Sequence, residues 1–427
     1  MLTALFIALV LFILLQAVVS TYLNVFIWED PDRLAAIRSP KLFLKEHFGF
    51  TLLVPARHEE AVIKETIIKM SQIRYPKNKY QILVICEHSD KLTITQAKNA
   101  IREHKMSNAR VITFSDRPIN KPHALNIGLK KASHEIITIF DAEDEVQADI
   151  LQVANTLLVS KKIDILQAGV QLMDYDSHWY SAHNVLEYYF WFKSRLFFHA
   201  HHKVVPLGGN TVFFKKSVLQ QLNGWDENCL TEDAEIGIRL TSQGASCLTT
   251  YDPVHATQEE TPSTVGSFIR QRTRWNQGFI QVLLRGDWRA YPSVFQKILA
   301  FYTLSYPIQQ ALIFILTPPL LILGLVTNLS VMFGMLSFLP LLMVLVHASV
   351  AILAMHEFIT DYDLKHRWWV YPWLVLSLIP FQILLGISAV RATWRVMRGI
   401  NEWEKTQHLG LHRSTAEADS STVAKYS

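Results

Sequence analysis

Residues 136–145 read Ile-Ile-Thr-Ile-Phe-Asp-Ala-Glu-Asp-Glu, an apolar run that passes directly into four acids. The apolar half is rich in β-branched residues and predicts a buried strand, Ile136–Phe140. Four carboxyl groups crowded at its end repel one another unless protons or a cation relieve the charge. A divalent cation, Mg²⁺ or Mn²⁺, suits this cluster, because both ions take oxygen ligands and lie between carboxylates and substrate phosphates. An ordinary solvated acidic turn is the alternative interpretation.

Similar apolar runs on either side of this stretch alternate with helical patterns. The predicted strands are Phe50–Pro55, Ile82–Cys86, Val111–Phe114, Ile136–Phe140 and Ile163–Val170. The predicted helices between them are Glu59–Ile73, Thr93–His104, Pro122–Ala132 and Ala148–Ser160. Strands that alternate with helices form right-handed βαβ units. The sequence therefore predicts an α/β fold with a mainly parallel sheet, whose ligands bind at the carboxyl ends of the strands.

The composition indicates that part of the chain lies in a membrane. Of the 427 residues, 50% are hydrophobic and 18% are charged, whereas soluble domains carry about 25% charged residues. Residues 1–27 contain no charged side chain, and this stretch is long enough to cross a hydrocarbon core of roughly 30 Å. Three further apolar stretches are Ile298–Val326, Leu329–Met355 and Trp369–Trp394. A cleaved signal peptide is the weaker alternative for the first stretch, because a basic n-region is missing.

These features divide the chain into four expected regions. They are an N-terminal transmembrane helix at 1–27, a cytoplasmic α/β domain at 45–290 that includes an interfacial helix at 264–285, a transmembrane domain at 298–394, and a juxtamembrane segment with a disordered tail at 395–427. The three cysteines lack metal-ligand spacing and fit a reducing, cytoplasmic setting. The net charge of +4 is small, and the sequence has no basic tract, which argues against a nucleic-acid partner.

The number of membrane crossings conflicts with the charge distribution. Four full spans would place the C-terminal end and the α/β domain on opposite sides of the membrane. Three arginines, Arg391, Arg395 and Arg398, instead favour a C-terminal end on the cytoplasmic side. The prolines that interrupt the apolar runs are Pro307, Pro318, Pro319 and Pro380. We therefore expect one segment to be bent, re-entrant or interfacial.

The segment Gln271-Arg272-Thr273-Arg274-Trp275 lies directly before the C-terminal apolar region. On a helix, Gln271, Arg274 and Trp275 lie at i, i+3 and i+4 and share one face. The guanidinium can bind phosphate oxygens through paired hydrogen bonds, and the indole can stack on a sugar ring. This face therefore suits a sugar diphosphate. An amphipathic interfacial helix is the alternative, but it does not explain the acids upstream.

Together with those acids, this helix resembles the membrane-embedded family 2 glycosyltransferases, the group that includes cellulose and hyaluronan synthases. The resemblance covers roughly residues 50–285. It implies a GT-A fold, in which a Rossmann-like α/β catalytic domain lies on the cytoplasmic side of a bacterial inner membrane, between N- and C-terminal transmembrane helices. It also implies inverting, metal-dependent transfer from a nucleoside-diphosphate sugar, expected to be a UDP-sugar.

The resemblance implies roles for individual acids as well. Asp-Ala-Glu-Asp at 141–144 is a variant of the family's metal signature, so that Asp141 and Glu143 match the ligands best and Asp144 is a nearby candidate. Asp233, with Glu232 beside it, becomes the candidate general base, because a carboxylate must accept the proton of the acceptor hydroxyl. Without the resemblance, both acids of this pair would be interpreted as helix caps.

Further residues are expected to bind the two substrates. The donor-binding candidates are Glu59, Glu87, Asp90, Lys121, Asp141, Gln271 and Arg274. The acceptor-binding candidates are Gly208, Gly209 and Trp275. Stabilisation of a helix N-terminus explains Glu59 equally well, and a surface cation explains Lys121. Paired glycines allow the backbone to approach a ligand closely, although a hairpin explains them nearly as well.

The expected acceptor is a growing polysaccharide or a lipid-linked glycan reached from the lipid bilayer, and a partner subunit is expected to complete export. Transfer of one sugar to a polyprenyl phosphate and a non-catalytic nucleotide-binding scaffold are the alternatives. The histidines at 199, 201 and 202 are expected to form a polar surface, with zinc binding as the weaker alternative.

Overall fold

The computed structural model describes residues 2–326 and 331–401. The tail expected at 395–427 therefore lies outside the described residues from position 402 onward.

Among the residues that the structure describes, nine strands form a large sheet and a small one. The strands are β1 Phe50–Ala56, β2 Tyr80–Glu87, β3 Ala109–Phe114, β4 Ile136–Ile139, β5 Ile165–Ala168, β6 Val170–Leu172, β7 Val212–Lys215, β8 Cys247–Thr250 and β9 Thr257–Glu259. The large sheet has seven strands in the order β3-β2-β1-β4-β7-β5-β8, and β6 pairs with β9. Only β7 runs antiparallel to its neighbours β4 and β5. The predicted mainly parallel α/β sheet is confirmed.

The helices surround this sheet and continue beyond it. They are α1 Leu2–Val25, α2 Pro31–Ile37, α3 Ile63–Ser71, α4 Lys91–Glu103, α5 Lys121–Lys131, α6 Ile150–Lys161, α7 Ser181–Phe190, α8 Leu196–His201, α9 Lys216–Gln221, α10 Glu232–Ser242, α11 Val265–Arg285, α12 Val294–Val326, α13 Val331–Asp361, α14 Val370–Leu376 and α15 Leu378–Met397. A π-helical turn, Trp191–Arg195, joins α7 to α8.

Both faces of the central strands are buried. In β1, Leu52 and Leu53 point to opposite faces and belong to two separate hydrophobic clusters. Helices on the two faces of a parallel sheet require this two-sided burial, which explains the continuous apolar runs in the sequence. The cluster that contains Leu53 also includes Met355 and Phe358 of α13. The core of the α/β domain is therefore continuous with one of the apolar C-terminal helices.

Within the α/β domain most predicted elements begin and end within two residues of the observed ones, but two elements differ more. The predicted strand at 163–170 is divided at Gly169 into β5 and β6, which belong to different sheets. A side chain at Gly169 would lie 2.7 Å from the ring of Tyr251, so only glycine fits this bend. The helix predicted from Glu59 begins at Ile63, because the chain first turns through His58, which has a φ of 54°.

In the described part of the chain, three helical segments are long and apolar enough to cross a membrane. They are Ala4–Glu29, Val294–Pro319 and Leu339–Asp361. The pair α14 and α15 also qualifies by composition, but it is bent by 53°. Both ends of this pair contact the α/β domain. The Trp373 indole N–H donates to the Trp179 carbonyl at 3.0 Å, and Arg395 Nε donates to Gln277 Oε1 at 2.9 Å.

Candidate active site

Lys121 brings together three parts of the chain at the carboxyl end of β4. It is the first residue of α5, which is capped by the side chain of Asn120. Its Nζ lies 2.5 Å from Asp141 Oδ1, just beyond β4, and 3.7 Å from Glu232 Oε1 at the start of α10. It also donates to the Gly209 carbonyl at 3.3 Å. One ammonium group therefore lies among the predicted metal, base and acceptor residues.

Asp144 supports this site through hydrogen bonds to neighbouring residues and does not face the site itself. Its carboxylate accepts the Asp141 backbone N–H at 2.8 Å and the Asn210 side-chain amide at 2.9 and 3.0 Å. Asn210 also donates to Glu259, on β9. Asp144 is fully buried, and burial, with further contributions from Glu259 and Asp141, raises its pKa well above the usual range. The structure therefore gives Asp144 protein partners in place of an open position for a ligand.

Glu259 is a site residue that the sequence did not predict. It lines the same cavity as Asp141 and Glu143. Burial, then repulsion from Glu143 and Asp141, raises the pKa of Glu259 to about 8. Three carboxyl groups that line one cavity fit a divalent cation, because the cation would relieve the repulsion that Glu143 and Asp141 exert on Glu259. The local signal was the acid pair at 259–260, but only the pairing of β6 with β9 places it here.

Glu232 and Asp233 begin α10, and both line the cavity. Burial raises the pKa of Glu232 to about 7, with Lys121 opposing the rise and Asp233 adding to it. Burial also raises the pKa of Asp233, again against Lys121. A carboxylate whose pKa lies near neutral pH is suited to accept a proton under physiological conditions.

On α11, the predicted residues Gln271, Arg274 and Trp275 all line this cavity. Trp275 is held by neighbouring side chains that were not predicted from the sequence. The Arg272 guanidinium lies 4.5 Å from the centre of the Trp275 ring and 2.7 Å from Glu187 on α7. The spacing at i, i+3 and i+4 thus brings the amide, guanidinium and indole to one cavity.

The predicted nucleotide residues divide into two groups. Glu59, Glu87, Lys121 and Arg274 line a smaller cavity of about 130 Å³, which also includes Asp141. Asp90 lies outside both cavities. Its carboxylate accepts the His58 N–H at 2.6 Å and the Thr93 N–H at 3.3 Å, which caps α4. In this structure, Asp90 therefore orders the loop beside the nucleotide candidates.

The glycine pair lies between the acids and the π-helical turn. A methyl group at Gly209 would lie 3.2 Å from Asp233 Oδ2. One at Gly208 would lie 2.7 Å from the Phe192 ring. A side chain at Gly208 would therefore clash with Phe192, and one at Gly209 would crowd Asp233, so the glycines allow the loop to pack directly against the candidate base.

The larger cavity, of about 730 Å³, extends from these acids to the transmembrane helices. It is lined by α7, the π-helical turn and α11, and by Asn24 of α1, Tyr306 of α12 and Leu385 of α15. His199 lines it as well, with an exposed fraction of 1%. The expectation that His199 contributes to a polar surface is therefore wrong, because α8 turns this side chain inward.

Comparison with known proteins agrees with this geometry. The chain is 28% identical over 250 residues to a beta-monoglucosyldiacylglycerol synthase of Trichormus variabilis, covering 57% of this chain and 52% of that protein. It is 25% identical over 274 residues to a poly-beta-1,6-N-acetyl-D-glucosamine synthase of Staphylococcus epidermidis, covering 60% of each. The matches therefore span little more than half the length of these relatives.

A solved structure shares the fold. The mannosyltransferase PcManGT from Pyrobaculum calidifontis, in complex with GDP-Man and Mn²⁺, superposes with a TM-score of 0.58 at 18% identity, over 92% of this chain and 99% of that one. The predicted GT-A fold is confirmed. The family described as "Glycosyltransferase like family 2" matches residues 47–278. This segment is more than half of the chain and contains the acids, the glycine pair and the Gln271–Trp275 helix, so the chain belongs to the family 2 glycosyltransferases.

Proposed function

We propose that the protein transfers a sugar from a nucleoside-diphosphate sugar, a UDP-sugar, to a growing glycan or lipid-linked glycan at the membrane, with inversion. One observation supports this most directly. A single cavity is lined by the acids that fit a cation, by the carboxyl groups whose pKa is raised, and by Arg274 and Trp275. The same cavity reaches the transmembrane helices. The names of the relatives, which include a glycolipid synthase and a polysaccharide synthase, fit the same acceptor classes.

In the proposed reaction, Asp233 accepts the proton of the acceptor hydroxyl as its oxygen attacks the anomeric carbon. Direct attack by the acceptor from the opposite side inverts the configuration, and no enzyme nucleophile takes part. Lys121 and Arg274 would stabilise the negative charge of the departing diphosphate. A bound Mg²⁺ or Mn²⁺ would neutralise part of the same charge, held by Asp141 and Glu143.

We also propose a cellular location for the α/β domain. Nucleotide sugars are made in the cytoplasm, so the α/β domain would lie on the cytoplasmic side of a bacterial inner membrane. The candidate spans α1, α12 and α13 would anchor it there, and the cavity between them and the α/β domain would admit the acceptor from the bilayer. Single transfer to a polyprenyl phosphate and a non-catalytic nucleotide-binding scaffold are the competing functions.

The test is nucleotide release by the purified chain in nanodiscs, with a panel of nucleotide sugars and Mg²⁺ or Mn²⁺. We expect metal-dependent release with one donor, reduced ~10²- to 10⁴-fold in Asp233→Asn. Glu103→Gln is the matched control, because this half-exposed carboxylate on α4 pairs with Lys64 on the protein surface. No release with any donor, from folded protein supplied with membrane lipids, would instead favour the scaffold.

A further inference from the structure

A guanidinium lies where the large cavity meets the transmembrane helices. Arg195 ends the π-helical turn and lines the cavity. Its Nε donates to Asn24 Oδ1 at 2.7 Å and its Nη2 donates to Ser20 Oγ at 2.6 Å, both on α1. Both partners are neutral. Within residues 2–326 and 331–401, Arg195 forms no ion pair and its Nη1 donates to no group.

Other side chains already hold the turn in place. Ser194 Oγ donates to the Leu23 carbonyl at 2.7 Å and accepts the Ile27 N–H at 3.2 Å. Lys193 Nζ lies 2.9 Å from Glu357 and 3.2 Å from Asp361, on α13. The turn is therefore attached to α1 and α13 without Arg195, and a positive charge at residue 195 is not needed for that attachment.

The charge of Arg195 is balanced only in part by the described residues around it. Glu187 lines the same cavity and interacts electrostatically with Arg195, but its ion pair is with Arg272. His199 is buried, and burial, with a smaller effect of Arg195, lowers its pKa to about 3, so its ring is neutral. Its Nδ1 has no hydrogen-bond partner among the described residues. A partly buried cation beside neutral groups costs free energy, and an anion in the cavity would offset that cost.

The position of Arg195 limits the kind of anion. Ser20 and Asn24 occupy the last two turns of α1, within about 8 Å of its end along the helix axis. Lipid headgroups lie at this level of a spanning helix. The lining of the cavity that contains Arg195 also includes apolar side chains, among them Leu23 and Leu186. A cation beside an apolar wall suits a lipid whose head carries negative charge.

We propose that Arg195 binds the phosphate of a lipid-linked acceptor, with His199 Nδ1 as a second polar contact. A guanidinium presents N–H groups in the geometry that phosphate oxygens accept. The same cavity reaches Asp233, so an acceptor held at Arg195 would extend towards the candidate base. This assignment rests on the proposed glycosyl transfer and narrows its acceptor to a phosphate-bearing lipid.

The test compares two probes that differ in one phosphate. The full chain in phosphatidylcholine nanodiscs is titrated with farnesyl phosphate and with farnesol, and binding is followed by tryptophan fluorescence. We expect farnesyl phosphate to bind at least ~10-fold more tightly. Arg195→Gln should abolish this preference, and Arg195→Lys should retain part of it, since a lysine keeps the charge without the paired donors. Arg289→Gln, which removes an exposed arginine outside the cavity, should keep the full preference.

Several results would overturn the assignment. Equal affinity for the two probes, or an unchanged preference in Arg195→Gln, would exclude phosphate binding by Arg195. Competition by inorganic phosphate at equal strength would identify a free anion, and competition by phosphatidylglycerol would identify a bilayer lipid. UDP binding by each variant, measured by titration, would show that the variant is folded. Loss of sugar transfer with the farnesyl phosphate preference intact would contradict the proposed function alone.

Discussion

At the scale of single residues, the adjacent carboxyl groups of Glu232 and Asp233 determine the expected pH dependence. Burial raises the pKa of Glu232 to about 7, and the pKa of Asp233 is also raised. A base acts only when ionised, so kcat/KM should fall as the pH decreases through about 7, well above the ordinary carboxyl range near 4. The titration belongs to the pair, because the two groups interact.

A profile of kcat/KM between about pH 5 and 9 would measure this fall, the acidic limb of the profile. In Glu232→Gln the acidic limb should move to lower pH, because one neighbouring carboxylate is lost. In Asp233→Asn the rate itself should collapse. An acidic limb near pH 4 in the wild type would show that neither raised pKa governs the reaction.

Lys121 is the second residue whose substitution should have a measurable effect. Its ammonium lies among Asp141, Glu232 and the Gly209 carbonyl. Burial opposes its charge, but Asp141 and Glu232 outweigh that effect and raise the pKa of Lys121. Lys121→Met keeps the length of the side chain and removes the cation, so binding of a nucleoside diphosphate should weaken about tenfold, or ~1.4 kcal/mol. Calorimetric titration measures this change.

The same substitution should affect metal binding in the opposite direction. Without Lys121, Asp141 and Glu232 lose the ammonium group that pairs with them, so Mn²⁺ should bind more tightly to the variant. Lys64→Met is the matched control, because Lys64 lies on the surface and pairs with Glu103. Weaker binding of both nucleotide and Mn²⁺ would indicate a general loss of structure instead.

At the scale of elements, the close packing of α11 against the start of α10 positions the base. A methyl group at Gly278 of α11 would lie within 2.8 Å of Thr231 Cβ and closer to the rest of that side chain. Thr231 immediately precedes Glu232, so Gly278→Ala should displace the acid pair and reduce the rate at least ~10-fold. Steady-state kinetics measure this loss.

A second substitution should partly restore activity. Thr231→Ala removes the two atoms nearest to the added methyl group. Its own cost should be small, because the buried Thr231 hydroxyl has no hydrogen-bond partner in the described part of the chain and does not cap α10. The double variant should therefore be more active than Gly278→Ala alone, which a double-mutant cycle detects. Additive losses would show that the two positions are not coupled.

At the scale of the whole molecule, we propose that the bent pair α14 and α15 does not cross the membrane, which would remove the conflict between span count and charge. Both ends of the pair contact the α/β domain, through Trp373 with Trp179 and Arg395 with Gln277. If only α1, α12 and α13 cross the membrane, the C-terminal end lies on the same side as the α/β domain. The arginines near that end then satisfy the positive-inside rule.

Reporter fusions test this topology. Green fluorescent protein fused to the C-terminus should fluoresce, and alkaline phosphatase at the same position should be inactive. A phosphatase fusion truncated after Val326, at the end of α12, should be active and serves as the control. An active phosphatase at the C-terminus would mean that α14 and α15 together form a fourth span.

The sequence by itself determined the features that depend on local pattern. The alternation of apolar strands and amphipathic helices predicted the mainly parallel sheet, since side-chain periodicity decides which face each element buries. The acids at 141–144 predicted the carboxyl end of β4 as the site. The spacing of Gln271, Arg274 and Trp275 placed them on one face, because 3.6 residues per turn require it.

The tertiary structure alone decided the contacts between residues that are distant in sequence. Asn210 joins Asp144 to Glu259, and Arg195 meets Ser20 and Asn24 across about 170 positions of the chain. No local pattern encodes such partners, because each depends on how sheets and helices pack. The same holds for α14 and α15, whose composition permits a membrane span. Their packing against α7 and α11 places both ends of the pair on the α/β domain.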